Sequence, residues 1–364
     1  MPRIPQKAQT EGSTTFDPNK FFEAWAKEKL TPPYDNNFRR FIIRSFGLPL
    51  SDTYGYQATT EVTLLQAQTH IEFGAQGGLH AWYKDEDGQE RDELPTATDI
   101  SAYTDLFRPM TNTSKALNSL AAGAKKESIR SDVAKHLEAL YQPPPADRGL
   151  VVNKNKGHVN PYFDVWAWTN QNLHWEGPEE GTVRVKHSHA ILPILYHHFG
   201  CVCPSYEALT LISQLAKGRT IVDLGSGNGY WTYMLRRQEQ GKKKLTVSPV
   251  DNGLSEWRTI WVDDTLEMDG VKWLKQQQGA PDAVLLLVYP NTGDDFTSKM
   301  IKAYRGSTIV VAGAQNSSGF TGFATETIAE WMARELPEWE KVFQIPLPSF
   351  AGKDEALFAF EKKA

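Results

Sequence analysis

Between Thr220 and Leu235 the chain reads TIVDLGSGNGYWTYML. A short apolar run ends in Asp223, three glycines alternate with Ser226 and Asn228, and an amphipathic stretch follows at once. That order predicts a buried strand, a tight turn and a helix. Gly225, Gly227 and Gly229 carry no Cβ, so the turn can take positive φ and admit a ligand against its backbone. In a doubly wound sheet such a turn sits outside the carboxyl ends of the strands, where ligands bind, and the helix behind it opens with free N–H groups.

The spacing discriminates between ligand classes. A dinucleotide turn needs G-x-G-x-x-G, with the third glycine for close helix–strand packing. Counted from Gly225 that position is Tyr230, and counted from Gly227 it is Thr232. A phosphate-cradling loop would end in G-K-[ST], which is absent. Asp223, two residues ahead of the first glycine, disfavours a pyrophosphate and suits a ligand that carries an ammonium group.

The rest of the chain supplies the frame. After residue 200, β-branched runs at RTIVDLG, KLTVSPVD, RTIWVDD, DAVLLLVYP and STIVVAGA alternate with amphipathic stretches such as GVKWLKQQQ and ETIAEWMARELP. This alternation predicts an α/β fold with a parallel sheet covered by helices on both faces. EKVFQIPLP and EALFAFEKK, joined by a loop of hairpin length, would add one antiparallel strand. Before residue 200 the pattern is mostly helical, as in PNKFFEAWAKEKL, DNNFRRFIIRSFG and SDVAKHLEALYQ, with breaks at TPPY and QPPPADRG. The expected organisation is a mobile tail over 1–16, a mainly helical region over 17–200 and a ligand-binding α/β domain over 201–364.

From about residue 205 to 362 the chain resembles the class I S-adenosylmethionine-dependent methyltransferases, with DLGSGNG as their motif I and the terminal hairpin as their reversed strand. The resemblance implies a Rossmann-like seven-stranded sheet and S-adenosylmethionine as cofactor. It implies that Asp223, Gly225 and Gly227 hold the methionine end, with Ser226, Asn228 and Gly229 completing the loop. Asp251, at the end of the second strand, would accept the ribose hydroxyls; the alternative is a turn residue beside Asn252 and Gly253. Asp264, preferred over Asp263 at the end of RTIWVDD, would meet the adenine amino group, and Trp257 or Trp261 could stack on the ring.

For the acceptor side, Tyr289 sits at the carboxyl end of the fourth strand, where substrate should approach, and is a candidate catalytic residue. The family's [DN]-P-P-[YF] sequence of amide and base-nitrogen methyltransferases is replaced by Val288-Tyr289-Pro290-Asn291, which argues against that chemistry. His174, His187, His189, His197 and His198 hold five of the nine histidines, and with Cys201 and Cys203 they do not match a zinc-finger spacing. The segment from His187 to Tyr206 is expected instead to be a lid, with His189 and Tyr206 as candidate catalytic residues. Trp166, Trp168 and Trp175 are expected to join the helical region to the catalytic domain.

Composition narrows the partners. A formal net charge of -5 gives no long-range attraction to nucleic acid. No apolar run approaches the roughly 18 residues of a membrane span. Two cysteines separated by one residue fit a reducing, intracellular and cytoplasmic setting. The expected activity is methyl transfer to a small-molecule acceptor; a protein or RNA acceptor, or a non-catalytic cofactor-binding scaffold, are the alternatives. No oligomeric state is indicated by the sequence. The basic run KKESIRSDVAKH through NKNKGH is broken by acids and is expected to be solvated surface.

Overall fold

Continuous Val, Ile and Leu runs bury both faces of a strand, and in this chain they form the middle of one mostly parallel sheet. The computed structural model describes residues 15–363 apart from 86, 186, 241–242 and 294. Residues 1–14 of the expected tail lie outside the described residues.

The seven strands of the main sheet are β1 (Ile221–Leu224), β2 (Val247–Asp251), β3 (Leu266–Glu267), β4 (Val284–Val288), β5 (Thr308–Ala314), β6 (Trp339–Pro346) and β7 (Glu355–Lys362). Their spatial order is β3-β2-β1-β4-β5-β7-β6. β1 pairs in parallel with β2 and β4, β2 with β3, and β4 with β5. β7 runs antiparallel to both β5 and β6, so it alone is reversed. The chain thus has a Rossmann-like seven-stranded α/β sheet, as expected. Every residue of β5 is buried, as a strand near the centre of a two-faced layer requires.

The third strand is not the expected RTIWVDD. Arg258 and Thr259 donate their backbone N–H groups to the His197 carbonyl at 3.1 and 3.2 Å, and Trp261 donates to the Asn228 carbonyl at 2.8 Å. Those donors are engaged outside the sheet, so the ladder to β2 is made by Leu266 and Glu267 instead.

Among the described residues, eight α-helices precede residue 200: α1 (Pro18–Ala26), α2 (Phe38–Phe46), α3 (Leu64–Phe73), α4 (Ala97–Thr104), α5 (Thr113–Ala122), α6 (Ile129–Leu140), α7 (Pro161–Leu173) and α8 (Ile191–Phe199). Side-chain caps start many of them; Thr63 and Gln66, for example, form a reciprocal capping box at α3. Five further helices, α9 (Tyr206–Ala216), α10 (Tyr230–Arg236), α11 (Gly270–Gln276), α12 (Phe296–Ala303) and α13 (Ile328–Glu335), flank the sheet. Among the described residues no helix is long and apolar enough to cross a membrane.

One apolar core runs through both regions. Trp261 is its hub: Phe16, Phe21, Phe22, Phe199 and Tyr230 lie with ring centroids within 5.9 Å of it. Trp166 of α7 donates its indole N–H to the Ser349 carbonyl at 2.8 Å, tying the helical region to the β6–β7 turn. Gln142 and Gln344 pair backbone to backbone, extending the edge strand β6 by one residue of the helical region.

The same junction buries an ion pair. Arg258 is fully buried, its guanidinium meets the Asp52 carboxylate, and its Cζ lies 4.4 Å from the Tyr54 ring centroid. Removing one partner strands the other charge away from water, a cost of about 3–5 kcal/mol. Asp52→Ala is therefore expected to lose about that much stability in urea unfolding. The double variant Asp52→Ala/Arg258→Met should recover part of the loss, because no lone charge then remains buried.

Candidate active site

The turn after β1 is built as its glycines require. Gly225 and Ser226 donate to the Val250 carbonyl at 2.8 and 3.2 Å, which fastens the loop to the end of β2. Gly227 has φ 57° and Gly229 has φ 81°, a region that L side chains rarely adopt. A Cβ on Gly227 would stand 2.9 Å from Cζ2 of Trp257, and one on Gly229 would stand 2.4 Å from Cγ2 of Val262. Gly229 is therefore a packing glycine, and Gly227 is the point where the loop meets an indole.

Asp251 joins two turns. Its Oδ2 accepts the Gly227 N–H and its Oδ1 accepts the Gly253 N–H, both at 2.9 Å.

Asp223 is different. It is wholly buried beneath the loop, and its Oδ2 accepts the Thr232 hydroxyl at 2.7 Å. Its Oδ1 is buried without a hydrogen-bond partner. Burial, together with the nearby Asp251 charge, raises the carboxyl to about 7, against the smaller opposing effect of the Thr232 hydrogen bond. The carboxylate lies behind the cavity wall, not on it.

That cavity, of about 450 Å³, opens at the carboxyl ends of β1, β2 and β4. Gly225, Ser226, Gly227, Asn228 and Asp251 all line it. Asp264 does not: it forms a two-pronged pair with Arg236, with both N–O distances 2.8 Å. The acid that reaches the cavity beyond β3 is Asp269, which also caps α11 by accepting the Lys272 N–H at 2.8 Å. Asp269 and not Asp264 reaches the cavity because the third strand ends later in the chain than RTIWVDD. Of the two tryptophans, Trp257 lines the cavity and Trp261 is core.

A second cleft, of about 570 Å³, adjoins the first and shares Cys201, Ser255, Trp257 and Tyr289 with it. Tyr289 sits between the two. It holds a left-handed backbone, φ 50°, at the end of β4, while its N–H donates to the Ala312 carbonyl at 2.8 Å. For a bulky residue that conformation costs about 1–2 kcal/mol. Lys353, only 2% exposed, lines the cleft, and its Nζ lies 3.4 Å from the centroid of Phe320, a residue of the first cavity. Burial lowers Lys353 and raises Glu355, whose two carboxylate oxygens are buried without hydrogen-bond partners. Tyr196 adds a buried hydroxyl with no partner, and the His197 ring, which also lines the cleft, contacts the Gln57 carbonyl at 2.8 Å.

Two expected catalytic residues lie elsewhere. His189 packs against His80, centroids 5.4 Å apart, and lines neither of these cavities. Burial and the neighbouring His80, His70 and His187 hold its ring down at about 3. Tyr206 stands 4.8 Å from His158, ring to ring, in a separate cavity. The segment between them contains α8, every residue of which is buried.

No family model and no curated protein sequence matches this chain. Solved structures do match. A putative S-adenosylmethionine-dependent methyltransferase from Streptococcus mutans is 12% identical over 41% of this chain, with a TM-score of 0.28. The match covers 47% of that protein, so the chain spans about half its length. An O-methyltransferase from Bacillus cereus, in complex with S-adenosylhomocysteine, is 16% identical over 42% of this chain and 79% of its own, TM-score 0.28. The methyltransferase CalH, also in complex with S-adenosylhomocysteine, is 14% identical over 78% of this chain and 98% of its own, TM-score 0.32.

The burial of Asp223 has a measurable consequence. Its carboxyl rises from an ordinary value of about 3.9 in the unfolded chain to about 7 when folded. The native state therefore holds the proton more firmly, and the group's contribution to stability falls as pH rises between those values. Compared with Asp223→Asn, the wild-type protein should lose melting temperature progressively from pH 4 to pH 7, with no further divergence above that. A gap independent of pH would mean that this carboxylate is not buried uncompensated.

Proposed function

We propose that this protein is an S-adenosylmethionine-dependent methyltransferase whose acceptor is a small molecule. The observation that carries the reading is the wall shared by the two cavities, formed by Cys201, Ser255, Trp257 and Tyr289 at the ligand-binding edge of the sheet. Methyl transfer requires little beyond bringing nucleophile, methyl carbon and sulfonium into line. Two adjoining cavities with a thin partition suit that geometry.

The first cavity fits the cofactor. The backbone from Gly225 to Asn228 would lie along its methionine end, Asp251 would accept the ribose hydroxyls, and Asp269 would face the adenine amino group. Trp257 would cover the site from the side of the second cleft. Asp223 would act through the loop, because an ammonium group bound above it would favour the ionised form of its buried carboxyl. Bound there, S-adenosylmethionine supplies an electrophilic methyl group.

The second cleft fits the acceptor. Its volume falls within the roughly 300–1,000 Å³ of small-molecule sites. Tyr196, Trp257, Tyr289 and His197 give it aromatic walls, and Lys353 is its buried cationic group. A hydroxyl or carboxyl of the acceptor beside Lys353 would be held next to the partition. The net charge of -5 offers a polynucleotide acceptor little electrostatic attraction.

Calorimetry with S-adenosylhomocysteine is expected to give saturable one-to-one binding, and NADH none. Binding of NADH without any response to S-adenosylhomocysteine would end the reading. Gly227→Val should weaken S-adenosylhomocysteine at least tenfold, about 1.4 kcal/mol, because the new side chain meets Trp257 and opposes the left-handed backbone. Lys353→Met separates the two cavities: affinity for S-adenosylhomocysteine should hold while transfer of labelled methyl to a panel of hydroxylated small acceptors falls. Equal loss of both would remove Lys353 from the acceptor side.

A further inference from the structure

A third cavity, of about 550 Å³, shares no residue with the two described above. One face of α9 forms its floor, where Tyr206, Thr210, Ser213 and Gln214 recur at helical spacing. The loop of residues 151–159 forms its other wall. Gln214 clasps that loop by accepting the Val151 N–H at 2.8 Å and donating to the Val151 carbonyl at 2.5 Å. The end of α10 closes the cavity with Met234, Arg237 and Gln238.

Among the described residues the lining is rich in donors and contains no aspartate or glutamate. Arg237, exposed at the rim, makes no ion pair among the described residues; its guanidinium lies 4.6 Å from the Phe22 ring centroid and 5.6 Å from that of Tyr233, and Nη1 donates to the Tyr233 hydroxyl at 3.4 Å. Nε2 of His158 and the hydroxyl of Thr210 are buried without hydrogen-bond partners. Asn153 and Asn155 line the mouth, and the loop between and beyond them carries the exposed Lys154 and Lys156. Buried polar groups without partners are costly, and a cation with no carboxylate beside it in a concave site is a ready counter-charge. The same sequence, NKNKGH, was expected to be plain solvated surface; folded against α9 it borders a cationic recess.

We infer that this recess is a binding site for the phosphate group of a small phosphorylated molecule, formed by Arg237, His158, Thr210 and the 151–159 loop. A phosphate brings three strong acceptor oxygens and a charge of about -1.5 to -2, matching the Arg237 fork and the neutral donors around it. Arginine engages phosphate through two parallel N–H bonds, which gives geometric selectivity over a spherical anion. The inference is independent of the methyltransferase reading, because no residue is common to both.

The full-length protein would be titrated calorimetrically with inorganic phosphate, with glucose 6-phosphate, with chloride, and with a short single-stranded oligonucleotide. Saturable binding of the phosphates, and none of chloride, is expected. A phosphomonoester at least tenfold tighter than inorganic phosphate identifies an esterified ligand, and equal affinities identify the free anion; either supports the site. Arg237→Met should weaken phosphate at least tenfold and Thr210→Val several-fold, with S-adenosylhomocysteine binding unchanged in each. The Thr210 variant keeps the test valid if loss of Arg237 disturbs folding. No saturable heat up to about 10 mM of either phosphate, where free energies of only a few kcal/mol would still register, would overturn the inference. Undiminished phosphate affinity in both variants would also overturn it. Oligonucleotide binding that exceeds phosphate binding and depends on Lys154 and Lys156 but not on Arg237 would replace it with a nucleic-acid surface.

Discussion

The last turn of α8 determines where everything around the glycine loop can stand. Its His197 carbonyl receives two backbone N–H groups, from Arg258 and Thr259, and its His198 carbonyl receives the Trp261 indole N–H at 2.6 Å. His198 also meets the Thr259 hydroxyl at 2.7 Å through its other face of polarity, Nδ1. Carbonyls near a helix end lack intrahelical donors, so the pairing satisfies both elements at once. One clasp thus fixes a long irregular segment between β2 and β3. It sets Trp257 against Gly227, drives Arg258 into its buried pair with Asp52, and supplies Trp261 to the core. A helix before the sheet, and not the sheet alone, shapes the cavity.

Electrostatics in the loop follows from the same confinement. Asp223 and Asp251 end neighbouring strands, and only Asp251 is compensated by backbone N–H groups from two turns. Asp223 has a single hydroxyl donor, so burial prevails and its proton is held. Two acids with similar positions in their strands therefore do different work. Asp251 is hydrogen-bonded at the cavity surface, while Asp223 sits one layer deeper as a carboxyl that burial keeps protonated to higher pH.

Much of this was legible in the sequence, and the reasons for the gaps are physical. β1, β2, β4, β5 and the final hairpin announce themselves through local runs of branched apolar residues, and the glycine turn through its spacing. RTIWVDD carries the same composition, yet its backbone donors are taken by α8 and the glycine loop, so tertiary docking overrides β propensity. That one displacement leaves Asp264 paired with Arg236 and puts Asp269 on the cavity, its only local sign being Asp-Gly ahead of an amphipathic stretch. α8 is buried on every side, and a helix buried all round has no apolar stripe for periodicity to detect. His189 and Tyr206 were placed at the site by their position along the chain, but they diverge in space on either side of α8. Tyr196 and His197, adjacent on α8, meet Lys353 from the far end of the chain in the second cleft, and the three share no sequence pattern.

The shared core around Trp261 has a bearing on the order in which the molecule is made. Phe16, Phe21 and Phe22 are synthesised more than 200 residues before the indole that covers them, and Gln142 precedes its strand partner Gln344 by a similar span. Contacts of such long sequence separation form slowly, since loop closure must precede the stabilisation it brings. The aromatic faces of α1 and α2 thus stay uncovered on a growing chain until the segment after β2 has emerged and docked on α8. For this architecture the hazardous interval is co-translational, when a row of phenylalanines waits for its tryptophan.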